Sequence, residues 1–277
     1  MRSGDDLAAL ILTALNAERP ARPLQDGQVV VIAHKVVSKA EGAVIALADV
    51  TPGARARELA AEQDKDPRAV QVVLDQSAEI LRASGGVLIS RTHHGFVCAN
   101  AGVDASNASR ESEAAEGEIG TDAIGDDAIE GAGAGDDGAG DDGIGDDGTL
   151  ILLPRDPDAS ARALRARLRE LTGVSPAVLI TDSFGRAWRH GQCDVAIGCA
   201  GMSPLDDWRG RTDSVGHELH ATWLAVADTA AATADLARAK DSREPVVLID
   251  GLERFVTAED GPGAMALLRP LEEDLFR

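Results

Sequence analysis

The 277-residue sequence has few aromatic side chains: no Tyr, four Phe and three Trp. Proteins that hold single-stranded nucleic acid stack the bases on such side chains, so this composition argues against that class. The cysteines Cys98, Cys193 and Cys199 are odd in number and lack CxxC spacing. They fit neither a disulfide framework nor a zinc motif, and we expect buried thiols in a reducing, cytoplasmic setting.

Long apolar runs are also missing, since none approaches the roughly 18 residues that a membrane-spanning helix needs. The opening segment "MRSGDDLAALILTAL" has Asp5 and Asp6 where a signal peptide carries positive charge. We therefore expect neither a secretory leader nor a membrane partner.

Positive charge is scarce, with 27 Lys and Arg against 47 Asp and Glu and a net charge of −20. Residues 111–148 hold fourteen of the acids and no Lys or Arg, which leaves −6 for the rest of the chain. Glycine recurs there, as in "GDDGAGDDGIGDDG". Like charges repel and little can be buried, so we predict that 111–148 is a disordered insertion. Residues 1–110 and 149–277 would form the folded domain. Neither part has the basic stripe of a nucleic-acid-binding protein.

The common signatures of nucleotide, hydrolase and zinc sites are absent: the sequence has no Walker A loop, no GxSxG and no HExxH. Short apolar runs at 29–32, 177–180 and 246–249 predict strands, that at 177–180 a buried one, and helical patterns lie between them. Residues 54–83 are among these patterns and predict a helix broken near Pro67. The mixture favours an α/β fold with α+β character.

Polar side chains follow three of the predicted strand regions, at 35–39, 104–107 and 182–189. In open α/β sheets, ligands bind beyond the carboxyl ends of the strands, so these loci are candidates for one site. Asp104 and Asp182 are candidate ligands for Mg²⁺ or Mn²⁺, with Ser183 as an adjacent hard oxygen. The alternative is that both aspartates are turn or cap residues.

The other polar residues at these loci leave similar alternatives open. Lys39, helped by Lys35, could neutralise a phosphate or be a solvated surface lysine. Asn107 could hydrogen-bond to a base or ribose, or could close an Asx turn. Arg186 and Arg189 could bind a carboxylate or phosphate through two hydrogen bonds, or could be surface charges.

Five longer segments resemble the coenzyme F420-0:L-glutamate ligase family, including the N-terminal ligase part of the actinobacterial two-domain enzyme. The segments are "VVSKAEG", "AGVDASN", "TDSFGRAWRHGQCDVAIGCAG", "LDDWRGRTDSVGHEL" and "VADTAAATADL". The resemblance covers nearly the whole chain outside residues 111–148. It implies a two-subdomain α/β fold in an intertwined homodimer. It also implies that the chain adds L-glutamate to F420-0 through γ-linked amide bonds, with GTP as co-substrate and an acyl phosphate as intermediate.

The resemblance implies two divalent ions, Mg²⁺ or Mn²⁺, and K⁺ is a further expected ion. By motif, Asp104 and Asp182 look like ligands of the first ion, and Ser183 and Asp241 like ligands of the second. Asp104, Asp182 and Arg186 are the expected catalytic residues. FMN is not implied, because the chain ends before the flavin-dependent reductase domain of the two-domain enzyme.

The nucleotide contacts implied by the resemblance come from three segments. Lys39, Asn107 and Lys240 look like residues that contact GTP. His34 stands where the family has a Ser or Thr that contacts the nucleotide.

Two other functions stay open at this point. The same ligands would suit a metal-dependent phosphohydrolase that cleaves GTP without glutamate. The family places a strand and a "GLP"-type loop that touches GTP before the "GDDL" found here at 4–7. A nucleotide-binding module that lacks this loop and is catalytically impaired is therefore the second alternative.

Overall fold

The computed structural model of the protein describes residues 1–18, 20–104, 148–238 and 242–276. The predicted insertion at 111–148 lies outside these residues except for Gly148. The α-helices within the described ranges are α1 (Leu7–Ala17), α2 (His34–Glu41), α3 (Ala54–Gln63), α4 (Pro67–Asp75), α5 (Pro157–Thr172) and α6 (Val226–Ala237). The strands are β1 (Val29–Ala33), β2 (Val44–Ala46), β3 (Ser77–Ser84), β4 (Val87–Thr92), β5 (Val97–Ala99), β6 (Thr149–Ile151), β7 (Ala177–Arg186), β8 (Arg189–Ala200), β9 (Leu205–Asp207), β10 (Trp223–Ala225) and β11 (Val246–Ile249).

The main sheet has the strand order β11-β1-β7-β8. Strands β1 and β7 are parallel, with Val29 opposite Ala177 and Ala33 opposite Thr181. The outer strands β11 and β8 each run antiparallel to their neighbour. Helices packed on both faces of a mixed sheet confirm the predicted mixed α/β class. The two-subdomain arrangement and the homodimer stay predictions.

Both faces of the main sheet are covered, which explains the continuous apolar runs at 29–32 and 177–180. Even-numbered residues of β1 and β7 pack into one core with α1 and α5. Odd-numbered residues of the same strands pack into a second core with α6. Side chains alternate along a strand, so a residue's number tells which layer of helices it faces.

Three smaller sheets complete the described structure: β3-β4-β5, β2-β6 and β9-β10. Helices α3 and α4 pack with β3, β4 and the chain after β5 in a separate apolar cluster. No helix among the described residues is both long enough and apolar enough to cross a bilayer.

The helix predicted over 54–83 is wrong at its C-terminal end. Helix α4 ends at Asp75, and Ser77–Ser84 forms β3. Gly85 and Gly86 both have positive φ, at 61° and 76°, and they connect β3 to the antiparallel β4. Two such residues are what a tight hairpin turn requires, and the strand pairing overrides the helix propensity of "AEILRA".

The strand predicted at 177–180 is longer than its apolar run. Strand β7 continues to Arg186, because residues beyond Thr181 pair with β8, for example Asp182 with Val195. The polar residues of "TDSFGR" therefore lie on a hairpin strand and not in a loop.

Close packing of helix α5 on β8 leads to a stability prediction. A Cβ added at Gly198 would meet the Pro157 carbonyl oxygen at 2.4 Å, whereas at Gly185 it would meet nothing within 4 Å. We expect Gly198→Ala to lower the free energy of unfolding by roughly 1–3 kcal/mol because backbone must move. The matched variant Gly185→Ala should stay within about 0.5 kcal/mol of wild type. Urea unfolding followed by circular dichroism measures both, and equal effects would contradict this packing argument.

Candidate active site

The parallel register of β1 and β7 places two of the predicted residues side by side. Ala33 is opposite Thr181, and the residue after each is His34 and Asp182. His34 begins α2, and its Nε2 lies 3.2 Å from Asp182 Oδ1, with side chains 2% and 14% exposed. Despite this short distance, Nε2 is a buried nitrogen without a well-oriented hydrogen-bond partner among the described residues.

The next residue of α2, Lys35, forms an ion pair with Asp104, the other predicted metal ligand. Lys35 Nζ lies 2.6 Å from Asp104 Oδ2, and both side chains are about a quarter exposed. Asp104 is placed by a backbone bridge to Ile151, in which each residue's N–H donates to the other's carbonyl. Successive residues at the start of one helix thus contact the carboxylates of Asp104 and Asp182.

The start of α2 is also favourable for anions. Its N-cap is Ala33, which has no side chain to accept from the first-turn N–H groups. The N–H groups and the dipole at a helix N-terminus attract negative charge, phosphate included. Lys39 lies one turn beyond Lys35 on the same helix, and residues four apart share a face.

Ser183 lies on the opposite face of β7 from Asp182. Its Oγ donates to Asp194 Oδ1 at 2.6 Å, and Thr181 Oγ1 donates to Asp194 Oδ2 at 2.7 Å. Arg238, at the C-terminal end of α6, donates to the same Oδ2. We call Thr181, Ser183, Asp194 and Arg238 the Asp194 cluster.

From Asp182 onward, β7 pairs only with β8 among the described strands, because β1 has turned into α2. On the side where β1 has ended, residues 182–186 of β7 have no neighbouring strand among the described residues. We call the space on that side the notch. The start of β11 is at the same edge, since Ala33 N donates to the Pro245 carbonyl at 2.9 Å. Ligands of open α/β sheets bind at this kind of edge.

The remaining predicted residues are not all brought together. The Arg186 guanidinium donates to the carbonyls of His190 and Gly191, so it stabilises the β7–β8 turn. It lies four positions beyond Asp182 on the strand, about 13 Å at the usual rise, and its catalytic role stays a prediction. Asn107, Lys240 and Asp241 lie outside the described residues.

At this end of the strands, the protein offers a divalent ion two carboxylate ligands and not a complete coordination shell. Among the described residues, no three His, Cys, Asp or Glu side chains converge on one metal position. His34 Nε2 and the Ser183 amide both approach Oδ1 of Asp182, which leaves Oδ2 of that residue for a cation. Two carboxylates completed by phosphate oxygens and water are a usual arrangement for Mg²⁺.

A cavity of about 470 Å³ lies elsewhere, between α5 and residues 258–260. It is at the N-terminal edge of β7, since Arg165 Nε donates to the Pro176 carbonyl. The Arg165 guanidinium also donates to two further carbonyls and to Asp260, so its donors are already used by the protein. This cavity contains none of the predicted residues, and the edge at Asp182 is the better candidate.

Three features were not predicted from the sequence. The first is the ion pair of Lys35 with Asp104, since we considered Lys35 only as a phosphate ligand. The second is the contact of His34 with Asp182, since His34 was expected only beside the nucleotide. The third is the Asp194 cluster. A single carboxylate inside the apolar stretch "CDVAIGCA" was the available signal for it, but its partners depend on the β7–β8 register.

An α/β sheet with carboxylates, lysines and a helix start at the carboxyl ends of its parallel strands has the arrangement in which α/β proteins bind small ligands. A family profile described as F420-0:gamma-glutamyl ligase matches residues 1–115 and 131–251. The chain therefore belongs to the F420-0:gamma-glutamyl ligase family, and it is a ligase.

Curated relatives agree with the profile over nearly the full length. The coenzyme F420:L-glutamate ligase of Methanothermobacter thermautotrophicus is 40% identical over 276 residues, which cover 99% of this chain and 94% of the relative. The protein of the same name from Methanopyrus kandleri is 40% identical and covers 100% and 93%. The one from Methanocaldococcus jannaschii is 37% identical and covers 92% and 86%.

Burial around the site leads to a prediction for the thiols. Burial raises the pKa of the Cys98 thiol to about 12, and the Asp182 charge acts in the same direction. Burial also raises the pKa of Cys199 to about 12, while Cys193 is only half-buried. At pH 8 we expect an aromatic disulfide reagent to modify one thiol per native chain rapidly, and all three after denaturation.

The variant Cys193→Ser identifies the reacting group. It should abolish the rapid phase and leave two thiols that react only in denaturant. Rapid modification of Cys98 in the native chain would show that the wall beside Asp182 is open to solvent.

Proposed function

We propose that this chain adds L-glutamate to coenzyme F420-0 through γ-linked amide bonds, with GTP and divalent metal ions. Family membership supports glutamate ligation, because the curated relatives carry that name. The observation that supports the use of GTP and metal ions is the pairing of His34 with Asp182 and of Lys35 with Asp104 at the start of α2. It gathers two carboxylates, a lysine and a histidine where a nucleotide phosphate and its metal would sit.

The proposed chemistry has two steps. A carboxylate oxygen of F420-0 attacks the γ-phosphorus of GTP, and the bond to the β-phosphate oxygen breaks, which gives an acyl phosphate and GDP. The glutamate amine then attacks the acyl carbon, the amide bond forms, phosphate leaves and the amine loses a proton. Activation is needed because a carboxylate alone has a poor leaving group.

The residues around the notch divide this work. The N–H groups at the start of α2, with Lys35 and Lys39, would hold the nucleotide phosphates, since a lysine's flexible stem lets its ammonium reach a phosphate oxygen. Asp104 and Asp182 would hold a divalent ion, which supplies charge stabilisation at the transferred phosphoryl group. Ser183 would bind the second ion together with Asp241. K⁺ remains a further expected ion.

The donors present at this edge fit a divalent ion. Asp182 offers Oδ2, and the buried His34 Nε2 beside it lacks a well-oriented partner among the described residues. Carboxylate oxygens suit both Mg²⁺ and Mn²⁺. His34 would keep Asp182 in place from its buried position behind the carboxylate.

We also propose that the chain acts as a cytoplasmic homodimer. The tip of the β7–β8 hairpin supports this assembly: Trp188 is 81% exposed and its ring lies 6.2 Å from that of Phe276. Exposed aromatic side chains at such a tip are typical of surfaces that a partner covers. Light scattering should give twice the chain mass of 28.7 kDa.

The reaction is tested with purified protein, GTP, Mn²⁺, L-glutamate and F420-0, with product masses and GDP both measured. We expect a product heavier by one or more glutamyl residues and one GDP for each residue added. GDP release without the heavier product would favour a phosphohydrolase. Nucleotide binding without either product would favour an impaired binding module.

A matched pair of variants tests the role of the notch. Asp182→Asn should lower kcat/KM at least about a hundredfold, roughly 2.7 kcal/mol, because the amide weakens the metal site. Asp250 lies beside the start of β1, at the other end of the strands from Asp182, and an Asn there keeps an acceptor for Gln28. The kcat/KM of Asp250→Asn should therefore change less than about twofold. Equal rates for Asp182→Asn and wild type would contradict the proposed site.

A further inference from the structure

His34 lies between a serine of its own helix and the Asp182 carboxylate. Its Nδ1 is 3.4 Å from Oγ of Ser38, one turn further along α2, and its Nε2 is 3.2 Å from Asp182 Oδ1. His34 and Ser38 are only 2% and 0% exposed. These three residue types form the catalytic triad of many hydrolases, but a serine without contact to solvent cannot attack a substrate. We therefore look for a positioning role in this row of side chains.

The carboxylate determines which nitrogen of the His34 ring carries the hydrogen. A neutral imidazole has one N–H and one lone pair. A lone pair on Nε2 would face the negative Oδ1 of Asp182 and be repelled, whereas an N–H would be attracted. Nε2 therefore carries the hydrogen, and Nδ1 accepts from the Ser38 hydroxyl. Because Nε2 has no well-oriented partner among the described residues, a small rotation of the Asp182 carboxylate is needed to complete its hydrogen bond.

The polar contacts of Asp182 with the described residues fall on one of its two oxygens. Oδ1 faces His34 Nε2 and also accepts from the Ser183 amide at 2.8 Å. A carboxylate oxygen offers about two lone pairs, so Oδ1 has none left for an ion once His34 donates to it. Lys35 Nζ lies on Oδ2 of Asp104 in a comparable way. Each aspartate thus gives an ion at most one oxygen while these contacts last.

The number of oxygens that a carboxylate offers affects which ion it binds. Ca²⁺ takes about six to eight oxygen ligands and readily binds both oxygens of one carboxylate, whereas Mg²⁺ requires a compact octahedron completed by water and phosphate. Octahedral oxygen ligands also suit Mn²⁺. A carboxylate restricted to one oxygen therefore disfavours Ca²⁺ relative to the two smaller ions.

We propose that His34 is a specificity-determining residue for the first divalent ion: by holding Oδ1, it makes Asp182 a one-oxygen ligand and favours Mg²⁺ and Mn²⁺ over Ca²⁺. Ser38 fixes the ring for this role. The inference rests on the proposed function, in which Asp182 binds that ion. His34 acts through Asp182, so it is a positioning residue. This role differs from the nucleotide contact that the family resemblance implies at its position.

Competition between two metal ions tests the proposal without reference to turnover. Mn²⁺ is titrated into the full chain with one equivalent of GDP, free Mn²⁺ is read from its electron paramagnetic resonance signal, and Ca²⁺ is then added. GDP without protein is the blank, and the ion considered is the one whose binding is lost in Asp182→Asn. Wild type should bind Mn²⁺ more tightly than Ca²⁺. His34→Leu has a similar volume but no donor, and it should lower the ratio of the Ca²⁺ to the Mn²⁺ dissociation constant at least about tenfold.

A matched variant separates the N–H donor from the volume of the ring. In His34→Gln, the side-chain amide can place an N–H close to the position of Nε2, so the ratio should stay within about threefold of wild type. Circular dichroism shows whether each variant is folded.

The hydrogen on the ring is measured independently of any metal. Nitrogen-15 NMR of wild type should show the His34 hydrogen on Nε2. The His34 signal is recognised among those of the six histidines because it is missing in His34→Gln. A hydrogen on Nδ1 alone would overturn the inference, and this measurement decides if His34→Leu does not fold.

The outcomes distinguish this inference from the proposed function. An unchanged ratio in folded His34→Leu would overturn the specificity role and leave Asp182 as a ligand. An equal fall in His34→Leu and His34→Gln would also overturn it, because loss of the ring would then explain both. If Asp182→Asn loses no ion, the first metal site and this role are both contradicted, while the glutamylation assay would still decide the reaction.

Discussion

The parallel pairing of β1 with β7 is the constraint on which the site depends. Since Ala33 is opposite Thr181, the chain leaves both strands at the same level, with His34 on one side and Asp182 on the other. The first strand turns directly into α2, and the second continues as a hairpin with β8. A shift of register by one residue would send the side chains of β7 to the wrong faces and separate these two residues.

Side chains at the C-terminal end of β7 point to both faces of the sheet. Asp182 points to the layer of α2 and β5, whereas Thr181 and Ser183 point to the layer of α6, because side chains alternate along a strand. This alternation places one carboxylate beside the start of α2 and two hydroxyl groups beside Asp194. Oxygen donors from adjacent residues therefore border the notch from opposite layers.

The sequence predicts those parts of this arrangement that depend on local pattern. The apolar runs at 29–32 and 177–180 identify buried strands because both faces of the sheet are covered, and Asp182 follows directly. The contacts of His34 and Lys35 with the aspartates depend on the register between distant strands, which no local pattern contains. The strand at Ser77–Ser84 was predicted as helix because its residues favour helix until β4 pairs with them. The roles of Asn107, Lys240 and Asp241 stay predictions that rest on the family resemblance.

The central claim is that Asp104 and Asp182 share one divalent ion beside the start of α2. Diffraction from crystals grown with Mn²⁺ and GDP, recorded for the anomalous signal of manganese, tests it most directly. The account predicts a peak at coordination distance from a carboxylate oxygen of each aspartate, with phosphate oxygens completing the shell. A manganese peak that touches only one of the two carboxylates, or neither, would contradict it.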